Sequence, residues 1–304
     1  MSGTPATPAT AARLTSSRWR RAVDFLRDVA DRPAGKVGLA VVAGLIIVIV
    51  LAPLLAPYDP AQQDIPARFQ GPSAEHLLGT DELGRDLLSR VIYGARIALG
   101  VAVPTVALAS LLGLVMGVLA GYLGGFTDRG MVVIIDALAS VPAIVLALAV
   151  IAVLGPSVTN LILVLAIAFA PGYARVVRAM ALSTKRRPFV EAERALGAGR
   201  WRIVRQHIIP NLLAPMLVLM AMDLPSVIAA EAGLSFFGLG VPPPAPSWGV
   251  MLSTGFVYVR DSPWTLIAAA LALAITTIGI TLFGESLRDV VDPKLAGRRR
   301  GRVA

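Results

Sequence analysis

The chain has 304 residues, of which 56% are apolar before its 28 glycines are counted and only 15% are charged. Soluble domains carry roughly 45–50% apolar residues with glycine included and about 25% charged ones, so a water-soluble globule is excluded and a multi-spanning membrane protein is indicated. The lack of cysteine excludes disulfides, thiolate metal sites and a Cys nucleophile, two distant histidines (His76, His207) indicate no metal centre, and a net charge of +9 remains to be placed.

Residues 1–12 are small, polar and proline-containing and read as a disordered tail. Over 18–31, Trp19, Ala22, Val23, Leu26, Val29 and Ala30 recur at helical spacing among Arg20, Arg21, Asp24, Arg27 and Asp28. That pattern predicts an amphipathic helix on the membrane surface. The apolar run behind it begins too late and is too long for a signal peptide, so no cleavage is expected.

Six stretches reach the roughly 20 apolar residues that a bilayer crossing needs: 37–56, 97–121, 131–154, 159–180, 211–232 and 264–284. Gly155-Pro156-Ser157 makes a tight turn between the third and fourth. Between the first and second, Leu83, Leu87 and Val91 share a helical face, which predicts an external surface helix over 81–92 with Asp81 and Glu82 in its first turn. Pro104, Pro142, Pro171, Pro215 and Pro225 interrupt or end helices and can kink them, and Pro171-Gly172 is the candidate gate hinge.

The chain divides into a tail with the interfacial helix (1–36), the first span with an external segment (37–96), a core of five spans (97–285) and a basic tail (286–304). With both termini inside, 23 of the 28 basic residues fall on cytoplasmic segments, nine of them in or beside the loop between spans four and five. Neither basic end interleaves its charges with stacking aromatics, so nucleic acid is not expected, and the Arg298–Arg302 tail suits anionic lipid headgroups.

An ATPase of its own would need G-x-x-x-x-G-K-[ST]. The single Gly-Lys pair, Gly35-Lys36, is followed by Val37 and has Ala30 where the first glycine belongs. No Ser/His/Asp set, HExxH or paired-carboxylate site stands out either, so no catalytic, cofactor-binding or metal-binding residue is expected.

The loop between spans four and five, 185–211, reads KRRPFVEAERALGAGRWRIVRQHIIPN. Pro188 suits a first helical turn, Glu191 to Leu196 extends it for under two turns, and Gly197 permits a left-handed exit. Ala192 and Ala195 give this short helix a low profile that a groove could accept. It is too short and charged to cross the bilayer, and should lie across the membrane face; a solvated basic loop is the competing reading.

The loop resembles the EAA loop of importer-type ABC permeases at Glu191, Ala192, Gly197, Ala198, Pro210 and Asn211, with Glu193 where the family has a third alanine and Ile209 for leucine. Further blocks resemble dipeptide, oligopeptide and nickel importers: His76–Arg90, Gly121–Arg129, Pro171–Ala179, Glu231–Gly240, Pro246–Gly249 and Leu287–Lys294. The similarity is to their second, C-type permease subunit. It implies an all-α integral membrane protein of the type I importer permease fold in a bacterial cytoplasmic membrane. It also implies a heterodimer with a homologous permease, two cytoplasmic ATPase subunits that bind ATP and Mg, and an external substrate-binding protein. Glu191, Ala192, Ala195, Gly197 and Ala198 would then couple to the ATPase, Glu191 against a basic residue and Gly197 setting the turn. Asp81, Asp86 and Trp248 are the candidate residues for docking the external protein.

Asp223 falls near the middle of span five, where charge is expensive and usually faces a cavity or partner. It is the candidate pore residue, favouring a cationic group such as a peptide amino terminus; a carboxyl bonded to a neighbouring helix is the alternative. Asp136 is expected to reach headgroups or an Arg of the 185–211 loop, and Glu231 and Glu285 to be solvated or to bridge subunits. The expected cargo is a di- or oligopeptide, with nickel complexes, glutathione or another small solute as alternatives; a stand-alone channel or secondary transporter is the remote one.

Overall fold

The structure is a computed structural model and describes residues 27–291. The first nine residues of the amphipathic stretch 18–31 and the Arg298–Arg302 tail lie outside the described residues, while 27–30 are helical. Helix dominates throughout, and among the described residues the β contact is a single bridge between Thr80 and Asp86.

Helix α1, Pro33–Leu55, starts on a proline at its first turn, where a missing N–H is harmless, and ends as Ala56 turns extended. Gly38 of α1 lies against the Leu282–Phe283 backbone of the last helix, and Arg32 pairs with Asp289 there. After an irregular segment comes α2, Leu87–Val118, which runs through a π turn at Leu119–Leu123 and ends at Gly124 with a positive φ. Helix α3, Gly125–Ala139, and α4, Ala143–Leu154, follow. Helix α5, Val158–Lys185, is capped by Ser157, whose hydroxyl accepts the Asn160 N–H. The short α6, Pro188–Ala195, precedes α7, Arg200–Ile203, which continues through a π turn at Val204–Ile208 into α8, Ile209–Phe236. Helix α9, Trp248–Val257, and α10, Trp264–Val291, complete the described chain.

Among the described residues, five helices are long and apolar enough to cross a bilayer: Pro33–Leu55, Leu87–Leu123, Val158–Lys185, Arg200–Phe236 and Trp264–Val291. The expected third span, 131–154, is broken in two: α3 and α4 meet at a bend of 81° and count as a sixth crossing when taken together. The break falls on Ser140-Val141-Pro142, where proline pushes the preceding residue out of helical conformation and its own carbonyl starts the next helix by accepting from Val145 and Leu146. Pro104, Pro171, Pro215 and Pro225, in contrast, lie inside continuous helices, and α5 passes through Pro171-Gly172 without interruption.

The helix predicted over 81–92 starts at Leu87 instead. Asp81 and Asp86 build a turn ahead of it. Asp81 accepts the N–H groups of Leu83 and Arg85 (both 2.9 Å) and the Arg85 Nε–H (2.7 Å), while Asp86 accepts from Ser89 N and Oγ (both 2.7 Å) and so caps α2. Gly84 closes the turn at φ +73°, where a Cβ would collide with the Asp64 carbonyl.

The most extensive helix packing is that of α2 on α5. Gly113, Gly117 and Gly121 form a stripe at i, i+4 and i+8, and each lies on the α5 backbone. A Cβ at Gly113 would meet the Ala170 carbonyl at 2.9 Å, at Gly117 the Ala174 carbonyl at 2.7 Å, and at Gly121 the Arg178 carbonyl at 2.6 Å. In lipid the apolar effect between helices is weak, so such small-residue stripes bring backbones together to gain dispersion contact. One core extends along α2, α5 and α8 around Leu87, Val106, Leu165, Tyr173, Ile228 and Leu234. A second gathers at the other end around Tyr122, Val177, Val190, Ile203, Ile208 and Leu212.

Candidate functional site

Helix α6 is fastened to the second core by one side chain. Val190 is fully buried there, and the next turns of chain pack Ile203, Val204 and Ile208 against the same cluster. Around that anchor the outer face of α6 stays open: Glu191, Ala192, Ala195 and Gly197 are exposed and Ala198 is half-buried. Gly197 sits at φ +83° and donates to the Arg194 carbonyl (3.0 Å), while Ala198 donates to Glu193 (3.0 Å). These bonds close the helix and send the chain into α7, as a glycine exit should.

Three large apolar side chains rim this face, Phe189 (41% exposed), Leu196 (87%) and Trp201 (71%). A low alanine floor with an apolar rim and one free carboxylate is a surface shaped for a partner rather than for water. Glu193, the departure from the EAA pattern, is turned inward: its carboxylate lies 3.5 Å from His207 Nε2, and the His207 ring stacks obliquely on Phe189. The second acid therefore leaves the outer face small.

The other sequence-derived candidates separate from this loop. Asp223 is half-buried on α8 beside Tyr173 of α5; the two groups interact, though the buried Tyr173 hydroxyl makes no hydrogen bond of normal geometry. Pro171 is buried and Gly172 exposed on α5, with open space around a would-be Cβ at Gly172. Asp136 pairs with Arg175 of α5 (3.0 Å), not with the 185–211 loop or headgroups alone. Glu231, expected at a solvated or bridging position, is 1% exposed and accepts from Ser235 Oγ (2.7 Å) and Ser247 Oγ (2.9 Å) within the chain.

The three docking candidates are corrected as well. Asp81, Asp86 and Trp248 are at most 2% exposed, so none offers its polar group to a partner. Asp81 is held by Arg85 and lies 3.4 Å from Arg90, Asp86 meets His76 Nδ1 at 3.0 Å, and the Trp248 Nε1–H donates to the Val91 carbonyl at 3.1 Å. Their role is to stiffen the segment before α2 and to lock α9 onto α2, where Gly94 makes room for the indole. Acids flanking turn glycines and a serine were the sequence signal for such internal capping.

A model of the family described as binding-protein-dependent transport system inner membrane component matches residues 113–297, which includes α6 and its seat. The chain belongs to that family. A second model, the N-terminal transmembrane domain of oligopeptide transport permease C, matches residues 17–72. The permease is 37% identical to a dipeptide transport system permease protein of Alkalihalophilus pseudofirmus over 279 residues, 92% of this chain and 91% of that one. It is 40% identical to a probable D,D-dipeptide transport system permease protein of Escherichia coli K12 over 266 residues, 86% of this chain and 89% of the relative. Among solved structures, a chain of the MetNI methionine ABC transporter in inward-facing conformations superposes with a TM-score of 0.55 at 20% identity, covering 68% of this chain and 98% of that one. That likeness shows a shared fold alone. As a permease component, the chain is a non-catalytic membrane subunit of an ABC transporter.

Proposed function

We propose that the permease forms half of the translocation path of an ATP-driven importer of di- and oligopeptides, and that loop 185–211 couples it to cytoplasmic ATPase subunits. The observation that carries this reading is the open face of α6, with Glu191, Ala192, Ala195 and Gly197 exposed on a helix anchored from the opposite side by the buried Val190. A helix so anchored moves with the ends of α5 and α8, so a push on it is passed to the spans. ATP and Mg would be held by two partner subunits, the second half of the path by a homologous permease, and the cargo would be delivered by an external protein resting on the segment before α2. The peptide cargo follows the names of the dipeptide permeases to which the chain is similar. The test of coupling is Glu191→Lys in the assembled transporter, whose expected outcome opens the Discussion.

Both termini are placed in the cytoplasm, with α6 on that side, by the distribution of basic residues. Because the natural chain has no cysteine, a single Leu196→Cys substitution reads this directly. In intact cells a membrane-impermeant maleimide should leave it unlabelled, with labelling appearing on permeabilisation; labelling in intact cells would reverse the orientation.

Asp223 is proposed to line the path and to favour a cationic group. Asp223→Asn should lower uptake of peptides with a free amino terminus by about tenfold, the effect of one ion pair between bulk-water and near-surface strength. Unchanged uptake of every peptide tested in proteoliposomes would sink the assignment.

A further inference from the structure

A cavity of about 350 Å³ opens behind the α6 loop, lined by Tyr122, Leu123, Lys185, Arg194, Ala198, Arg200 and Ile203. Four separate stretches of chain supply it: the π turn that ends α2, the last residue of α5, and the two short helices of the loop. Three of its walls carry cations and none carries an acid. Lys185 Nζ donates to the Tyr122 carbonyl at 2.7 Å and lies 5.7 Å from the Tyr122 ring centroid, and the Arg194 guanidinium lies 5.7 Å from the same centroid.

Arg194, Arg200 and Arg186 stand near enough to Lys185 to repel its charge. The acid within reach, Asp128, is already held by Arg178 in a fork of 2.6 and 2.9 Å. Tyr122 itself is 3% exposed and its hydroxyl has no hydrogen-bond partner. Three like charges converging on one cavity, with the neighbouring carboxylate engaged elsewhere, describe a site for an anion with several oxygens, and phosphate matches guanidinium and ammonium donors together.

The position of the cavity selects the source of that phosphate. Leu123 and Lys185 are the last residues of two membrane-spanning helices, so the site lies where hydrocarbon gives way to headgroups. Leu123 in its wall and Leu119 one turn deeper on the same helix are 42% and 37% exposed, apolar surface that an acyl chain covers and a free phosphate ion does not. Basic pockets between spans at this level suit lipid headgroups. We propose that the cavity binds the phosphate of an anionic phospholipid of the cytoplasmic leaflet through Lys185, Arg194 and Arg200, fastening the coupling loop to the ends of α2 and α5. The leaflet rests on the orientation proposed above.

The test titrates the assembled transporter in neutral detergent with phosphatidylglycerol, and in a parallel arm with inorganic phosphate, followed by native mass spectrometry. The intact complex should retain phosphatidylglycerol at one site more tightly than at the rest. Each charge removed weakens such a contact about fivefold, so Arg194→Gln should lower the affinity about fivefold and Lys185→Gln with Arg200→Gln about 25-fold. Arg260→Gln, an exposed charge remote in sequence, controls for net charge and should leave the affinity within about twofold. Wild-type retention by the double variant overturns the site. Phosphate bound with the same charge dependence while phosphatidylglycerol is not retained overturns the lipid in favour of a soluble ion. The readout needs neither ATP nor sidedness, so failure here leaves the Glu191→Lys and Leu196→Cys outcomes standing, and their failure leaves the measured affinity intact.

Discussion

Glu191→Lys should abolish both binding-protein-stimulated ATP hydrolysis and uptake, each by at least about tenfold, while the transporter still assembles. The substitution lies on an exposed face, and the anchor of the helix, Val190, points the other way into a closed cluster. Surface substitutions away from packed features change stability by no more than about 0.5 kcal/mol, so loss of folding is not the expected cause. The change instead reverses a charge on the face offered to the partner, and like charges brought together across an interface cost several kcal/mol, against about 1.4 kcal/mol for a factor of ten. The measurement is ATP hydrolysis and peptide uptake by the complex in proteoliposomes with the external protein present. Wild-type rates of both would show that α6 is not the coupling element. Loss of uptake with stimulated hydrolysis retained would place Glu191 after the ATPase contact, in the opening of the path.

Gly117→Leu should act on stability instead, loosening the packing of α2 on α5. The Gly117 α-carbon faces Val177 and the Ala174 carbonyl so closely that even a Cβ would stand 2.6–2.7 Å from side-chain and backbone atoms together. Backbone cannot rotate aside as a side chain can, so α2 and α5 must separate, and the dispersion contacts along Gly113, Gly117 and Gly121 are lost with them. Overpacking in a well-filled core costs about 1–3 kcal/mol, and a leucine at a backbone contact falls at the upper end of that range or beyond it. Gly100→Leu on the same helix is the control, since nothing lies within 4 Å of a Cβ there. Heating the purified complex in detergent and following its monodispersity reads both variants. Gly117→Leu should lose monodispersity at a clearly lower temperature and Gly100→Leu at that of the wild type; equal behaviour of the two would refute the close approach.

The spans and the loop were legible in the sequence because each rests on a property that does not depend on neighbours. Twenty apolar residues must avoid water wherever they are, and Gly197 must end a short helix whatever packs beside it. Apolarity alone does not show the bend within residues 131–154, since a run such as Ala143–Leu154 looks the same whether it continues a span or turns 81° away from it. The glycines of the α2 stripe were visible as residues, but a stripe acquires meaning only from the helix laid against it.

Charge shows the same division. By itself the sequence determined that this is a membrane protein, where its basic residues concentrate and which short helix resembles a coupling element, because hydropathy and local turn chemistry are carried by consecutive residues. Only the tertiary structure decided which charged groups are available. It buried Asp81, Asp86 and Glu231 on partners within the chain, turned Glu193 toward His207, and brought Lys185, Arg194 and Arg200 around one cavity. The physical reason is that a charge's role depends on its surroundings within a few ångströms, and residues 122, 185, 194 and 200 become neighbours only when α2 and α5 pack along their full length.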